Sequence, residues 1–166
     1  MIDRRMHHRT MSTGPLPSPT ELAFLAAART AVLATIDDGG APRLVPICFV
    51  VTESPRLMLH SPLDEKPKRV VDPHDLRRVH DILERPEVAL LIDRWSEDWT
   101  RLGWLRLRGL ADLVEPDDAS AEGEHATAVA ALRRKYPQYE THLLEERPLI
   151  RIVLERSRSW GNLDEG

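Results

Sequence analysis

The segment LMLHSPLDEKPKR, Leu57 to Arg69, sets Ser61, Lys66, Lys68 and Arg69 just beyond an apolar run. Phosphate is bound by charge-assisted donors with a hydroxyl in reach, and this stretch supplies one hydroxyl and three cations. A helix starting after it would add backbone donors at its N-terminus. Asp64 and Glu65 stand among the cations, so the same residues also read as a solvated turn. Composition alone favours the solvated turn.

Other chemistry is sparse. The chain has no G-x-S-x-G, no H-E-x-x-H and no second cysteine to pair with Cys48. Cys48 lies in an apolar run and reads as a buried structural thiol. His60 and Ser61 are adjacent, and adjacent strand residues point to opposite faces, so they form no nucleophilic pair. His7 and His8 have no partner at metal-ligand spacing, and no metal site is expected. A chain without an acid–base set suits redox chemistry carried by a cofactor. The formal net charge is −4, which excludes a global basic field for nucleic acid, so any anion site must be local. No apolar run approaches the ~20 residues that span a bilayer, and the N-terminal stretch has no apolar core of a secretory signal. A cytoplasmic location with no membrane partner is the expectation. Met1, Met6 and Met11 are each candidate starts. Four Trp against two Phe and two Tyr favours a pocket wall or an interface over plain core filling.

The elements that must hold these residues are legible in outline. Residues 1–17 are polar and Pro-rich and read as a disordered extension. Ser18, Pro19 and Glu21 form a capping box that opens a helix to about Ala28. TAVLATI (Thr30–Ile36) reads as a strand, DDGG as a hairpin turn, and Pro42–Thr52 as one return strand. Pro46 in that strand demands an edge or a bulge. Arg56–His60 is a third strand. Leu76, Val79, Ile82 and Leu83 recur at helical spacing, with Pro86 beyond them. Glu87–Asp93 and Gly103–Glu115 read as strands. In the second, Leu105 and Leu107 face one way, and Trp104, Arg106 and Arg108 the other. Gly109 marks a bulge or a close backbone approach. Arg106 and Arg108 could hold an anion, but pairing with Asp112 is the favoured expectation. A helix over Ser120–Tyr136 carries the stripe His125, Val129, Leu132, Tyr136, and a last strand follows with Ile150, Ile152 and Leu154 on one face. Six strands with helices between antiparallel runs predict a mainly β protein with peripheral helices, a small barrel over residues 18–161 with a tail at 162–166.

In this order ARTAVLATIDDGGAPRLVPICFVV, LMLHSPLDEKPKR, LRRVHDILERPEVALLID, DWTRLGWLRLRG, KYPQY and the terminal RSW resemble one group. The chain resembles the FMN-binding split-barrel superfamily, which contains pyridoxamine phosphate oxidase. Within it the chain is most similar to an actinobacterial branch of enzymes that use the deazaflavin coenzyme F420. The resemblance implies a six-stranded antiparallel split β-barrel acting as a homodimer, with the cofactor at the subunit interface. It implies that Ser61, Lys66, Lys68 and Arg69 hold the cofactor phosphate, with Lys68 first among the cations. It also implies contacts to the flat ring from Val45, Pro46 and Ile47. Trp99 and Trp160 are candidates for a substrate pocket wall, and His60 for a proton donor beside the ring. The implied activity is hydride transfer between F420 and a small organic substrate. FMN is the alternative cofactor, and a non-catalytic flavin or F420 binder the alternative class.

Overall fold

The computed structural model describes residues 16–53, 56–63, 72–119 and 123–164. Helix α1 (Pro19–Ala27) starts with the predicted capping box: the Glu21 amide donates to Ser18 Oγ at 3.3 Å and the Ser18 amide to Glu21 Oε2 at 2.8 Å. Strands β1 (Ala31–Ile36) and β2 (Pro42–Ile47) form the predicted hairpin. Its turn is closed by Asp37, whose Oδ1 accepts from the Ala41 amide, and by Gly40 at φ 84, a conformation that suits glycine. Strands β3 (Val50–Thr52) and β4 (Met58–Pro62) follow, then α2 (Arg77–Glu84), β5 (Glu87–Arg94), β6 (Gly103–Val114), α3 (Glu124–Lys135) and β7 (Leu149–Gly161).

The sheet is antiparallel, as expected, but it has seven strands rather than six, in the order β2-β1-β5-β6-β7-β4-β3. The extra strand comes from Pro42–Thr52, read from sequence as one strand. It breaks at Cys48–Phe49 into β2 and β3, and these are the two opposite edges of the sheet. Two residues of chain thus join the margins of a curled sheet whose margins are not hydrogen-bonded to each other. The barrel is split there and is not closed. Pro42 and Pro46 sit in edge strand β2, where a ladder neighbour exists on one side only, as the proline rule requires. The third strand lies two residues later than expected, so His60 and Ser61 fall inside β4 and not at its end.

Alternation sorts the side chains. Leu33, Leu90, Ile92, Leu105, Leu107, Ile150 and Ile152 fill the barrel interior together with Leu25 from α1 and Ile82 from α2. A second cluster joins α3 to the sheet through Ala128, Val129, Leu132 and Tyr136, close to the predicted helix stripe. Leu83, placed on the apolar face of α2 by its spacing, is exposed; Val79 and Ile82 are the buried pair. Leu163, expected in a tail, packs into the core. The register of β6 on β7 shifts between Arg108 and Gly109, the predicted irregularity, and a Cβ at Gly109 would collide with the Val153 carbonyl oxygen. Buried Asp81 of α2 accepts from Thr35 Oγ1 at 2.6 Å and from Arg43 Nε at 2.8 Å, which fixes α2 against β1 and β2. Among the described residues no helix is long and apolar enough to cross a membrane.

Candidate functional site

The split corner collects the first group of predicted residues. Val45, Pro46 and Ile47 end β2, and after two intervening residues Val50 of β3 pairs with His60 of β4. One run of backbone therefore carries the chain from Val45–Ile47 to the strand of His60 and Ser61. The corner is pinned by Tyr136. Its hydroxyl accepts from the Phe49 amide at 3.0 Å and lies 2.8 and 2.9 Å from the carbonyl oxygens of Phe49 and Arg29. Sequence reading placed Tyr136 on a helix stripe and in KYPQY but gave it no such task. The Lys135 ammonium lies 4.2 Å above the Phe49 ring. Burial, then the neighbouring Arg29, pushes its pKa down to about 8. Cys48, expected to be buried, is half-buried at this corner, because a bend between two sheet edges has cover on one side only.

His60 and Ser61 are both buried and point to opposite sides of β4. His60 turns toward α3, where its Nε2 lies 2.7 Å from Glu124 Oε1. Arg151 Nη1 donates to Glu124 Oε2 at 2.9 Å, and Arg151 Nε donates to Asp112 Oδ1 at 2.8 Å. Burial lowers the His60 pKa and outweighs the Glu124 carboxylate, which raises it. The ring is then neutral at pH 7, donates from Nε2, and leaves a lone pair on Nδ1, which is buried without a partner. Asp112 is thus taken by Arg151 and not by Arg106 or Arg108, as the sequence reading expected.

The outer face of the sheet carries a second arrangement, which follows from register alone. One row across the strands reads Pro46, Val32, Leu91, Arg106, Arg158. The next reads Leu44, Ala34, Ala89, Arg108, Arg156. The row on the other side of Arg106 holds Asp93, Trp104 and Trp160. The face is apolar on β2, β1 and β5 and cationic on β6 and β7. A groove of about 550 Å³ runs over it, floored by Val32, Ala34, Ala89 and Leu91 and walled by Leu44, Trp104 and Arg106. The Ala34–Ala89 pair keeps the floor low. Leu44 (67%), Leu91 (41%) and Trp160 (57%) stand exposed around it.

The structure does not bring the three substrate-pocket candidates together. His60 pairs with Arg151 and Trp160 with Trp104, at opposite ends of β7, while exposed Trp99 lies in a short 3-10 helix (Trp99–Arg101) just before β6. Lys66, Lys68 and Arg69 lie outside the described residues, as do His7 and His8. Among the described residues no three His, Cys, Asp or Glu side chains cluster as a metal site.

Comparison with known proteins agrees with this architecture. Residues 18–161 match the family described as pyridoxamine 5'-phosphate oxidase. No curated protein matches the chain. Among solved structures, a conserved hypothetical protein of Mycobacterium tuberculosis superposes with a TM-score of 0.64 at 20% identity, over 91% of this chain and 89% of its own. An F420 reductase superposes with a TM-score of 0.59 at 19% identity, over 86% and 98%. A FAD-binding protein of Mesorhizobium loti gives 0.53 at 19%, over 83% and 87%. These likenesses carry the fold. The split sheet, the order of its strands and the match over nearly all the described chain make this protein a member of the pyridoxamine 5'-phosphate oxidase family.

Proposed function

We propose that the protein is a homodimeric oxidoreductase that uses coenzyme F420 to exchange a hydride with a small organic substrate. The observation that carries the reading is an exposed apolar groove on the outer face, beside Pro46 and bounded by a tryptophan pair set far from Ser61. Ser61 pairs with Ile150 and Trp104 with Trp160, ten residues along β7. At about 3.3 Å per residue that is roughly 30 Å within one chain. An exposed apolar face of this kind marks an interaction surface. In a twofold dimer each copy lends the same patch, so the groove of one protomer can cover the corner of the other.

The residues present suit a planar, anionic cofactor. Val45, Pro46 and Ile47 offer backbone and apolar contact to a flat ring at the edge strand. Ser61, Lys66, Lys68 and Arg69 would hold the phosphate. The bound deazaflavin would supply the hydride chemistry itself. The protein's part is to orient the ring, to shield it with Trp104 and Trp160, and to exclude water. Likeness in fold to an F420 reductase supports the choice of cofactor. FMN is the second reading, favoured by the family match and by likeness to a FAD-binding protein. A non-catalytic binder on the same frame would hold the cofactor without turnover.

Parallel titration with F420 and FMN, alongside sedimentation of the purified protein, tests this. The expected result is a dimer that raises F420 fluorescence anisotropy and binds FMN more weakly. A monomer that binds neither overturns the reading. Tighter FMN binding moves it to the second reading, and binding without reduction of any acceptor moves it to the non-catalytic class.

A further inference from the structure

The cationic half of the outer face is arranged in a way that folding alone does not favour. Arg106 sits directly opposite Arg158, and Arg108 directly opposite Arg156. Like charges facing each other across a strand pair destabilise a sheet. All four side chains are exposed, on the face opposite Leu105 and Leu107. Among the described residues, Arg106, Arg108 and Arg158 make no hydrogen bond or ion pair; Arg156 does interact with the rest of the chain. Acids share the face: Glu87 and Glu155 line one depression with Arg108 and Arg156, and Asp93 lines the groove beside Arg106. The Arg106–Arg158 pair is the less neutralised, and it lies next to the Trp104–Trp160 pair.

We infer that Arg106 and Arg158, extended by Arg108 and Arg156, bind a small molecule with two or more negative charges in a chain: a polyphosphate or a polycarboxylate. Guanidinium groups bind both by paired, charge-assisted hydrogen bonds, and the adjacent indoles supply a flat face for a planar portion of the same ligand. The quartet is not the phosphate site expected at the loop after β4. Ile150 pairs with Ser61 and Arg156 with Arg108, six residues apart on β7, or about 20 Å in one chain. Where the ligand is the tail of a cofactor the inference rests on the cofactor reading; where it is a free substrate it does not. The anionic chain belongs either to the tail of a cofactor or to a free substrate, and both present the same charges.

The test uses full-length protein with two probes, tripolyphosphate and tri-glutamate, at ionic strength matched with KCl. Binding is read by tryptophan fluorescence and by the shift in Tm. Wild type is expected to bind at least one probe. The double variant Arg106→Gln/Arg158→Gln should bind it at least about a hundredfold more weakly, the loss expected for two charge-assisted contacts. Binding of tri-glutamate alone assigns a carboxylate chain, and binding of tripolyphosphate alone a phosphate chain; both support the site. Because the variant relieves like-charge repulsion, its probe-free Tm should not fall, and far-ultraviolet circular dichroism checks the fold. Equal probe binding by wild type and variant, or no binding of either probe by wild type, overturns the inference. So does a variant that turns a dimer into a monomer with unchanged response to both probes, since the arginines would then serve only the second copy.

Discussion

Two arginines of β7, seven residues apart, live in opposite circumstances. Arg151 is half-buried and held by two carboxylates, Glu124 and Asp112, in a chain that ends on buried His60. Arg158 is exposed and faces another arginine. At the first end charge is consumed in building the fold: it ties α3 to β4, β6 and β7 at the base of the candidate phosphate loop. At the second end charge is left over. A side chain whose partner is built into the chain is a structural part; Arg158, with no such partner among the described residues, is one the proposal assigns to a ligand. The same contrast holds for aromatic groups. Tyr136 is buried and spends its hydroxyl on the split corner, whereas Trp160 stands exposed.

The contrast makes graded predictions. Glu124→Leu removes the carboxylate from both buried His60 and Arg151, and should lower unfolding free energy by roughly 3 kcal/mol in a urea titration. A loss under about 1 kcal/mol would put the network among surface pairs of little consequence. Lys68→Ala should leave stability and dimerisation intact while weakening cofactor binding by about ten- to a hundredfold, the loss of one charge-assisted contact. Unchanged affinity in titration would remove Lys68 from the site.

The His60 network also has a pH signature. Burial lowers the folded-state pKa of His60, so below about pH 6.5 the unfolded chain takes up the proton first. Stability is therefore lost as pH falls from about 6.5 toward the folded pKa. His74 works the other way. Hydrogen bonds to Glu115 and Asp72 raise its pKa, so its contribution is present below about pH 6.5 and lost as pH rises through the folded value. His74 is far more exposed than His60, and the His60 effect should dominate. Urea midpoints at pH 7 and pH 5.5 should show wild type weakening and His60→Gln holding more nearly constant; parallel slopes would contradict the assignment. At the other end of β7, Arg158→Gln should leave stability within about 0.5 kcal/mol of wild type or raise it slightly. A clear loss would mean that Arg158 has a structural partner after all.

Much of the frame was legible because it rests on local rules. Ser18 and Glu21 mark a helix start, DDGG a hairpin, and alternation separates Leu105 and Leu107 from Trp104, Arg106 and Arg108. Gly109 signalled the irregularity that its close approach to Val153 explains. What sequence hid was long-range. Nothing local in Pro42–Thr52 says that its two halves go to opposite sheet edges; that is decided by Phe49 entering the core and by Tyr136, 87 residues away, capping its backbone. Asp112 lies four residues from Arg108, a natural guess at a partner, yet on alternate strand positions the nearer candidate across the sheet is Arg151. The opposed arginines were equally invisible, since Arg106 and Arg158 meet only once the β6–β7 register is known. The candidate phosphate loop is a different case: Asp64 and Glu65 stand among its cations, its assignment rests on the family resemblance, and Lys66, Lys68 and Arg69 lie outside the described residues.

Hydrogen–deuterium exchange of the protein with and without saturating F420 tests the central claim most directly, because it reads the corner and the outer face in one experiment. The account predicts slowed exchange over Val45–Ile47, over Ser61–Arg69 and over Trp104–Arg108, with little change in α2. Tight binding of F420 that leaves all three segments unprotected would contradict it.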